Sequence, residues 1–289
     1  MLTPAARLRA HLDATPFTAM PCCFDGLSAR LIGEAGFPVS FMSGFAVSAA
    51  RLGLPDTGLI SYGEMVDQGR NVCAATSALI IGDGDTGYGN ALNVKRTVKG
   101  YAQAGFAGIM IEDQLAPKRC GHTRGKLVVG RDEAIDRVKA AVDAREEGAD
   151  ILIMARTDAR HGHGLDEALE RARAFSAAGA DLLFVEAPKT VGEMETICRE
   201  VPGVHMANLV EGGETPLLPQ AELERIGYRL AAYPLTLLSA AIKAMQGALA
   251  SMAAGQHPDA ALLPFADLRK AVGFDAYYEE EARYADRRD

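Results

Sequence analysis

Gly105-Phe106-Ala107-Gly108-Ile109-Met110-Ile111-Glu112-Asp113 contains the unit that decides the fold: a glycine, a short apolar run, then carboxylates. Glycine accepts the left-handed backbone that ends a helix, and an apolar run of this length suits a strand buried on both faces. The unit recurs. Gly36 precedes Val39 to Met42, Gly148 precedes Ile151 to Ala155, Gly179 precedes Leu182 to Val185, and Gly227 precedes Arg229 to Tyr233. Further runs at Ala19 to Cys23, Ala78 to Ile81 and Val204 to Ala207 bring the expected strands to eight. Between them, Asp132 to Glu147 and Leu165 to Ala178 place apolar residues at helical spacing. Strands alternating with helices form parallel βαβ units, and eight such units close into a (β/α)8 TIM-type barrel; a doubly wound open sheet is the competing arrangement. No Pro- or Ser-rich linker splits the series. Residues 1–289 therefore read as a single barrel domain, with 235–289 as a C-terminal helical extension.

Composition narrows the function. The chain has 289 residues, 48% of them hydrophobic, which excludes wholesale disorder. Its net charge of −8, with Lys and Arg scattered, argues against a nucleic-acid surface, because phosphate neutralisation needs clustered positive charge. Cys22, Cys23, Cys73, Cys120 and Cys198 form no Cys-x-x-Cys pair, so free thiols in a reducing compartment are expected. Met1 to Ala14 lacks the apolar core of a signal peptide, and the apolar tract Pro234 to Ala254 is interrupted by Lys243 and Gln246, which suits a packed helix and no membrane span. The expectation is a cytoplasmic protein whose partners are small polar ligands.

The polar residues that follow the strands favour the barrel. Ser43 and Gly44, Asp83 and Asp85, Glu112 and Asp113, Arg156 and Asp158, Glu186, Asn208 and Pro234 each stand just past an apolar run. In a barrel the carboxyl ends of the strands build one pocket, so these groups converge. Polar residues also mark the place where any strand leaves a core, but an acid-rich set of this kind points to a site. Gly82-Asp83-Gly84-Asp85-Thr86-Gly87-Tyr88-Gly89-Asn90 formally contains G-x-G-x-x-G, yet its carboxylates would repel a pyrophosphate. It also fails as a calcium loop, because Gly87 and Val94 occupy ligand positions. Two acids here and Glu112 on the next strand suit Mg2+, which keeps several waters and takes one or two carboxylates; capping of the following turn is the alternative for Asp83 and Asp85. Lys118-Arg119-Cys120-Gly121-His122 sets a thiol among cations, which lower a thiol's pKa and suit it to proton transfer; an incidental thiol in a basic surface loop is the alternative. His161 and His163 have no partner at ligand spacing and read as loop residues.

These motifs resemble the isocitrate lyase and phosphoenolpyruvate mutase superfamily over essentially the whole chain, from about Phe17 to Ala285. Lys118 to His122 resembles the isocitrate lyase signature and Asp83 to Asn90 the metal-binding stretch. Leu52-Gly53-Leu54-Pro55-Asp56, Ile111-Glu112-Asp113-Gln114 and Ala155-Arg156-Thr157-Asp158 fit as well. The resemblance implies a barrel whose last helix is exchanged with a neighbouring subunit, with Leu235 to Ala254 a candidate for that region, and a homotetramer built as a dimer of dimers. It implies Asp83 as the direct Mg2+ ligand, with Mn2+ as a substitute, and Asp56, Asp85 and Glu112 holding metal-bound waters. Ser43 and the amides of Gly44 and Phe45 would receive the keto-acid part of the substrate, and Arg156 its carboxylate. Cys120 would be the general acid, with Arg119 and His122 stabilising charge; Gly121, His122, Glu186 and Asn208 would line the site.

The activity so implied is cleavage of a 2-hydroxy dicarboxylate into an α-keto acid and a carboxylic acid through an enediolate that Cys120 protonates. Ser43-Gly44-Phe45, where methylisocitrate lyases usually read Ser-Gly-Gly, together with Cys120-Gly121-His122-Thr123-Arg124-Gly125 and Gly273 to Glu281, resembles the branch of 2,3-dimethylmalate lyase and petal death protein. The expected substrate is a substituted malate that yields pyruvate. Methylisocitrate cleavage, oxaloacetate hydrolysis or decarboxylation, phosphonate-type mutase chemistry and a silent keto-acid-binding homologue are the alternatives, and the cysteine loop argues against the mutase and decarboxylase branches.

Overall fold

The computed structural model describes residues 2–120 and 125–285. The chain opens with α1 (Pro4–Ala14), set up locally by Pro4 in its first turn and by Thr3, whose hydroxyl accepts the Ala6 N–H. Strands and helices then alternate: β1 (Thr18–Cys23), α2 (Gly26–Glu34), β2 (Val39–Met42), α3 (Gly44–Val47), α4 (Tyr62–Ala75), β3 (Leu79–Asp83), α5 (Ala91–Ala104) and β4 (Gly108–Glu112). The second half continues with α6 (Arg131–Glu146), β5 (Leu152–Thr157), α7 (Ala159–His163), α8 (Leu165–Ala177), β6 (Leu182–Val185), α9 (Val191–Glu200), β7 (Val204–Asn208), α10 (Gln220–Ile226) and β8 (Tyr228–Tyr233). All neighbouring strands are parallel, and β1 pairs with β8 from Thr18↔Leu230 to Pro21↔Tyr233, which closes the sheet. The barrel is therefore closed, and the open-sheet alternative falls.

The five helix-ending glycines Gly36, Gly105, Gly148, Gly179 and Gly227 all have left-handed backbone, with φ between 84° and 116°. The expected runs all form strands. β3 extends two residues past its apolar run, because Gly82 and Asp83 keep pairing with Met42 and Met110 after the side chains turn polar.

Strand pleat sorts the side chains between two cores. Leu79, Ile81, Met110, Leu152, Met154, Leu182, Phe184, Met206 and Leu230 fill the barrel interior, together with Leu8 and Leu12 of α1. The alternate residues Ile80, Ile109, Ile111, Ile151 and Ile153 belong to an outer layer with Val66, Val72, Val98 and Ala141 of the surrounding helices. Counting on by twos from the interior residues arrives at Ser43, Asp83, Glu112, Arg156, Glu186, Asn208 and Pro234. The register that packs the barrel thus also aims its polar residues inward at the mouth.

The chain divides into two compact units, Met1–Leu237 and Leu238–Asp289. The second holds most of α11 (Thr236–Ala253), then α12 (Phe265–Ala271) and α13 (Phe274–Ala285). Among the described residues no helix is long and apolar enough to cross a membrane.

Gly82 is fixed by packing. A Cβ there would lie 2.6 Å from a carbon of the Phe106 ring and 2.8 Å from one of the Tyr101 ring, and those two rings stack with centroids 4.7 Å apart. Gly82→Ala is expected to destabilise the protein by about 1–3 kcal/mol through overpacking. Urea unfolding checks this, and an unchanged midpoint would contradict the packing argument.

Candidate active site

The inward-facing strand ends open onto a cavity lined by Ser43, Phe45, Asp56, Asp83, Glu112, Arg119, Cys120, Arg156, Glu186 and Asn208 together with Lys118. Its floor and far wall are apolar, from Phe41, Met110, Phe184, Met206, Val210 and Leu235. A small ligand with charged and apolar parts suits such a lining.

The acid side is built on β3 and β4. Asp83 accepts the Asp85 N–H at 2.9 Å through Oδ1 and the Gly44 N–H at 3.2 Å through Oδ2, so both oxygens are oriented by backbone. The first of these bonds is the turn bond that the capping alternative foresaw; the second commits an amide expected to face substrate. Gly84 must be glycine, because a Cβ there would lie 2.6 Å from the Met110 carbonyl oxygen, which accepts the Gly84 N–H. Asp85, Tyr88 and Ala187 take left-handed backbone without being glycine, at φ 49°, 60° and 56°. All three follow β3 or β6 at the mouth, where strain of this kind accompanies functional geometry.

Lys118 reaches from the β4–α6 loop to the acids. Its ammonium lies 2.5 Å from Asp56 Oδ1 and 2.6 Å from Asp85 Oδ1. Burial opposes its charge, but Asp85, Asp83, Asp56 and Glu112 outweigh that and hold its pKa well above the usual lysine value. Asp83 is pushed up to about 6 by burial and by Asp85. Burial likewise raises Asp56, and raises Glu112 well above the ordinary carboxylate range.

Arg156, at the end of β5, is gripped from behind. Nε and Nη2 donate to the two oxygens of Asp158 at 2.8 and 3.0 Å, while Phe184 lies under the guanidinium at 5.1 Å. Glu112 and Glu186 approach it at 3.3 and 3.5 Å, and Asn208 donates to Glu186. Lys126 pairs with Asp158 at 3.3 Å. Burial opposes ionisation of Asp158, yet Arg156 and Lys126 prevail and hold its pKa below the usual value. Outside the barrel wall, Asp113 accepts the Asp158 N–H, the Thr157 hydroxyl and the Arg171 guanidinium, which fixes this strand end in place.

Among the described residues, six buried carboxylates (Asp56, Asp83, Asp85, Glu112, Asp158 and Glu186) face three buried cations, Lys118, Lys126 and Arg156. Glu112 Oε1 is buried with no hydrogen-bond partner. Excess buried negative charge, an orphaned acceptor and an all-oxygen donor set fit a hard divalent cation. No three acids, thiols or imidazoles among the described residues already form a direct metal cage.

Of the residues singled out in the sequence, Asp85 and Gly44 do not line the cavity, Asp85 pairing with Lys118 and the Gly44 N–H donating to Asp83, while Gly121 and His122 lie outside the described residues. His161 and His163 do not line the cavity. Lys118, a neighbour of the thiol in the sequence, turns its ammonium to the acids. The other four cysteines are packing residues: Cys22 and Cys23 are fully buried, and burial pushes Cys73 and Cys198 up to about 12.

Comparison with known proteins matches residues 8–253 to the phosphoenolpyruvate phosphomutase family. The chain is 46% identical over 244 residues to 2,3-dimethylmalate lyase of Eubacterium barkeri, covering 84% of each chain. It is 39% identical to a chloroplastic carboxyvinyl-carboxyphosphonate phosphorylmutase of Arabidopsis thaliana, covering 100% of this chain and 88% of that one. Among solved structures, oxaloacetate acetylhydrolase with 3,3-difluorooxalacetate superposes with a TM-score of 0.93 at 33% identity, covering 98% of this chain and 97% of that one.

The raised pKa of Glu112 has a consequence for stability. Below the unfolded-state value both states are protonated and the shift contributes nothing; above it, ionising the buried group opposes folding. Glu112→Gln is therefore expected to raise Tm at pH 7 to 8 in a chelating buffer, by an increment that shrinks as pH falls toward 4.5. Thermal melts across that range check it, and a lower Tm for the variant at pH 7 would contradict it.

Proposed function

This chain belongs to the phosphoenolpyruvate mutase and isocitrate lyase superfamily, and on that premise we propose that it is a Mg2+-dependent carbon–carbon lyase that splits a substituted malate, such as 2,3-dimethylmalate, into pyruvate and a carboxylic acid. The observation that carries this reading is the presence of the Cys120 thiol in the same cavity as Asp83, Glu112 and Arg156. A proton donor, a cation-binding acid set and a carboxylate-binding guanidinium are the groups such a cleavage requires.

Asp83 would hold the ion directly, with Asp56, Asp85 and Glu112 reaching it through water; Mn2+ would substitute. When bound, the cation supplies Lewis-acid polarisation of the substrate's oxygens and neutralises charge that develops on them. Arg156, held in one orientation by Asp158, binds a substrate carboxylate with the edge that faces the cavity. Ser43 and the start of α3 cradle the keto-acid part. Glu186 and Asn208 lie beside the departing carboxylate. The substrate hydroxyl gives up its proton to solvent and its oxygen becomes the keto-acid carbonyl as the carbon–carbon bond breaks; the electron pair of that bond is left on the carbon next to the departing carboxylate, and the Cys120 thiol delivers its proton to that carbon. Arg119 and His122 stabilise the charge, and the apolar floor accepts alkyl substituents. The second unit bears exposed apolar side chains, including Leu249, Met252, Phe265 and Tyr284. These support exchange of the C-terminal helix between copies in a homotetramer.

The likeness to oxaloacetate acetylhydrolase supports a second reading, hydrolysis of oxaloacetate to oxalate and acetate. A panel of C4 to C7 hydroxy and keto dicarboxylates separates the two: pyruvate from alkylmalates is expected, and oxalate from oxaloacetate with no pyruvate from any alkylmalate would replace the first reading with the second. Cys120→Ser is expected to leave oxalate binding near normal and lower turnover by roughly 10²-fold or more. Unchanged turnover would remove the thiol from the reaction. Because protons compete for Asp83, whose pKa stands at about 6, the Tm increment from added Mg2+ is expected to grow between pH 5 and pH 7.5; an increment that falls over this range would contradict the assignment.

A further inference from the structure

We propose that Gln114 is a positioning residue for Cys120, acting through a two-point clamp on the backbone of Arg119; the inference rests on the reading of Cys120 as the proton donor. Gln114 follows β4 and is 1% exposed. Its side-chain amide meets one peptide residue from both ends. Nε2 donates to the Arg119 carbonyl at 2.8 Å, and the Arg119 N–H donates to Oε1 at 2.9 Å. An amide makes both bonds in only one orientation, so the pair fixes the position and the tilt of the residue immediately before the thiol.

Gln114 is itself immobilised. Its backbone forms an antiparallel bridge with Val128 on the far arm of the loop. Flanking it, Leu115 N–H donates to Leu127 O at 2.8 Å and Val129 N–H to Asp113 O at 2.9 Å. Arg137 of α6, buried and paired with Glu133, donates to the Gln114 carbonyl at 2.8 Å. One residue therefore joins the two arms of the loop, backbone to one and side chain to the other, and Arg137 of α6 ties it to the body of the barrel. Lys118 on one side of the clamped residue reaches the acids, and Cys120 on the other lines the cavity. Gln114 does not line the cavity itself, so its contribution passes through the loop.

The test is a double-mutant cycle on the full-length protein with Mg2+ present, using whichever alkylmalate releases pyruvate. Gln114→Met keeps the length of the side chain and removes both bonds. It is expected to lower kcat roughly tenfold or more with KM and oxalate affinity near those of the wild type, because misplacing a reacting group by about an ångström costs on this scale. In a Cys120→Ser background the same change is expected to cost less than about threefold, since residues that act as a unit are not additive. Alkylation of Cys120 by iodoacetamide, followed by mass spectrometry, is expected to run faster in Gln114→Met. Should Gln114→Met fail to fold, Gln114→Glu keeps the bond from the Arg119 N–H, loses the one to its carbonyl, and is expected to show the same non-additivity with a smaller loss. A kcat unchanged by Gln114→Met, or a loss that multiplies fully with that of Cys120→Ser, overturns this inference alone. A Cys120→Ser protein with wild-type turnover overturns the thiol reading and this inference with it.

Discussion

Buried like charge is the constraint to which the rest of the molecule answers. Six carboxylates at one end of a barrel, most of their oxygens turned away from bulk water, repel one another in a medium that screens them poorly. Lys118 and Arg156 offset part of that repulsion, and the acids around them hold both firmly in the charged form against burial. Paired arrangements of this kind contribute little net stability, because desolvation consumes most of the attraction. Their persistence at a cavity wall marks a place built for something other than folding.

The barrel makes such a cluster sustainable. Parallel strands buried on both faces give a rigid wall, and pleat parity aims every second residue inward, so the positions that carry Leu79 and Ile81 deeper down carry Asp83 at the mouth. Opposite parity sends Asp113 and Thr157 outward, where Arg171 ties them down. The site therefore has an inner set of side chains facing the cavity and an outer set that fixes the strand ends. Loop residues complete it: Lys118 brings a cation to the acids, and Cys120 brings a thiol to the same cavity.

Much of this was legible from the residues alone, for physical reasons. β2 and β6 match the runs Val39 to Met42 and Leu182 to Val185 residue for residue, because a fully buried strand must be apolar throughout and a left-handed glycine marks the preceding stop. β3 outlasts its apolar run because a strand continues pairing after its side chains become polar. The inward set of acids followed from closure of the barrel. Partnerships did not follow. The reach of Lys118 to Asp56 spans the β4–α6 loop and a separate connection, and the grip of Gln114 on Arg119 depends on a loop doubling back; neither has a periodicity to betray it. Asp158 was visible as a strand-end acid, but its role in holding Arg156 is a matter of angle, which spacing does not encode.

The central claim is that the acid cluster exists to hold a divalent cation in the cavity that Cys120 lines. Anomalous diffraction from crystals grown with Mn2+ and oxalate tests it most directly. The account predicts one strong peak bonded to Asp83, with oxalate between it and the Cys120 wall. A cavity that binds oxalate with no peak at the acids, or a peak only elsewhere in the protein, would contradict it.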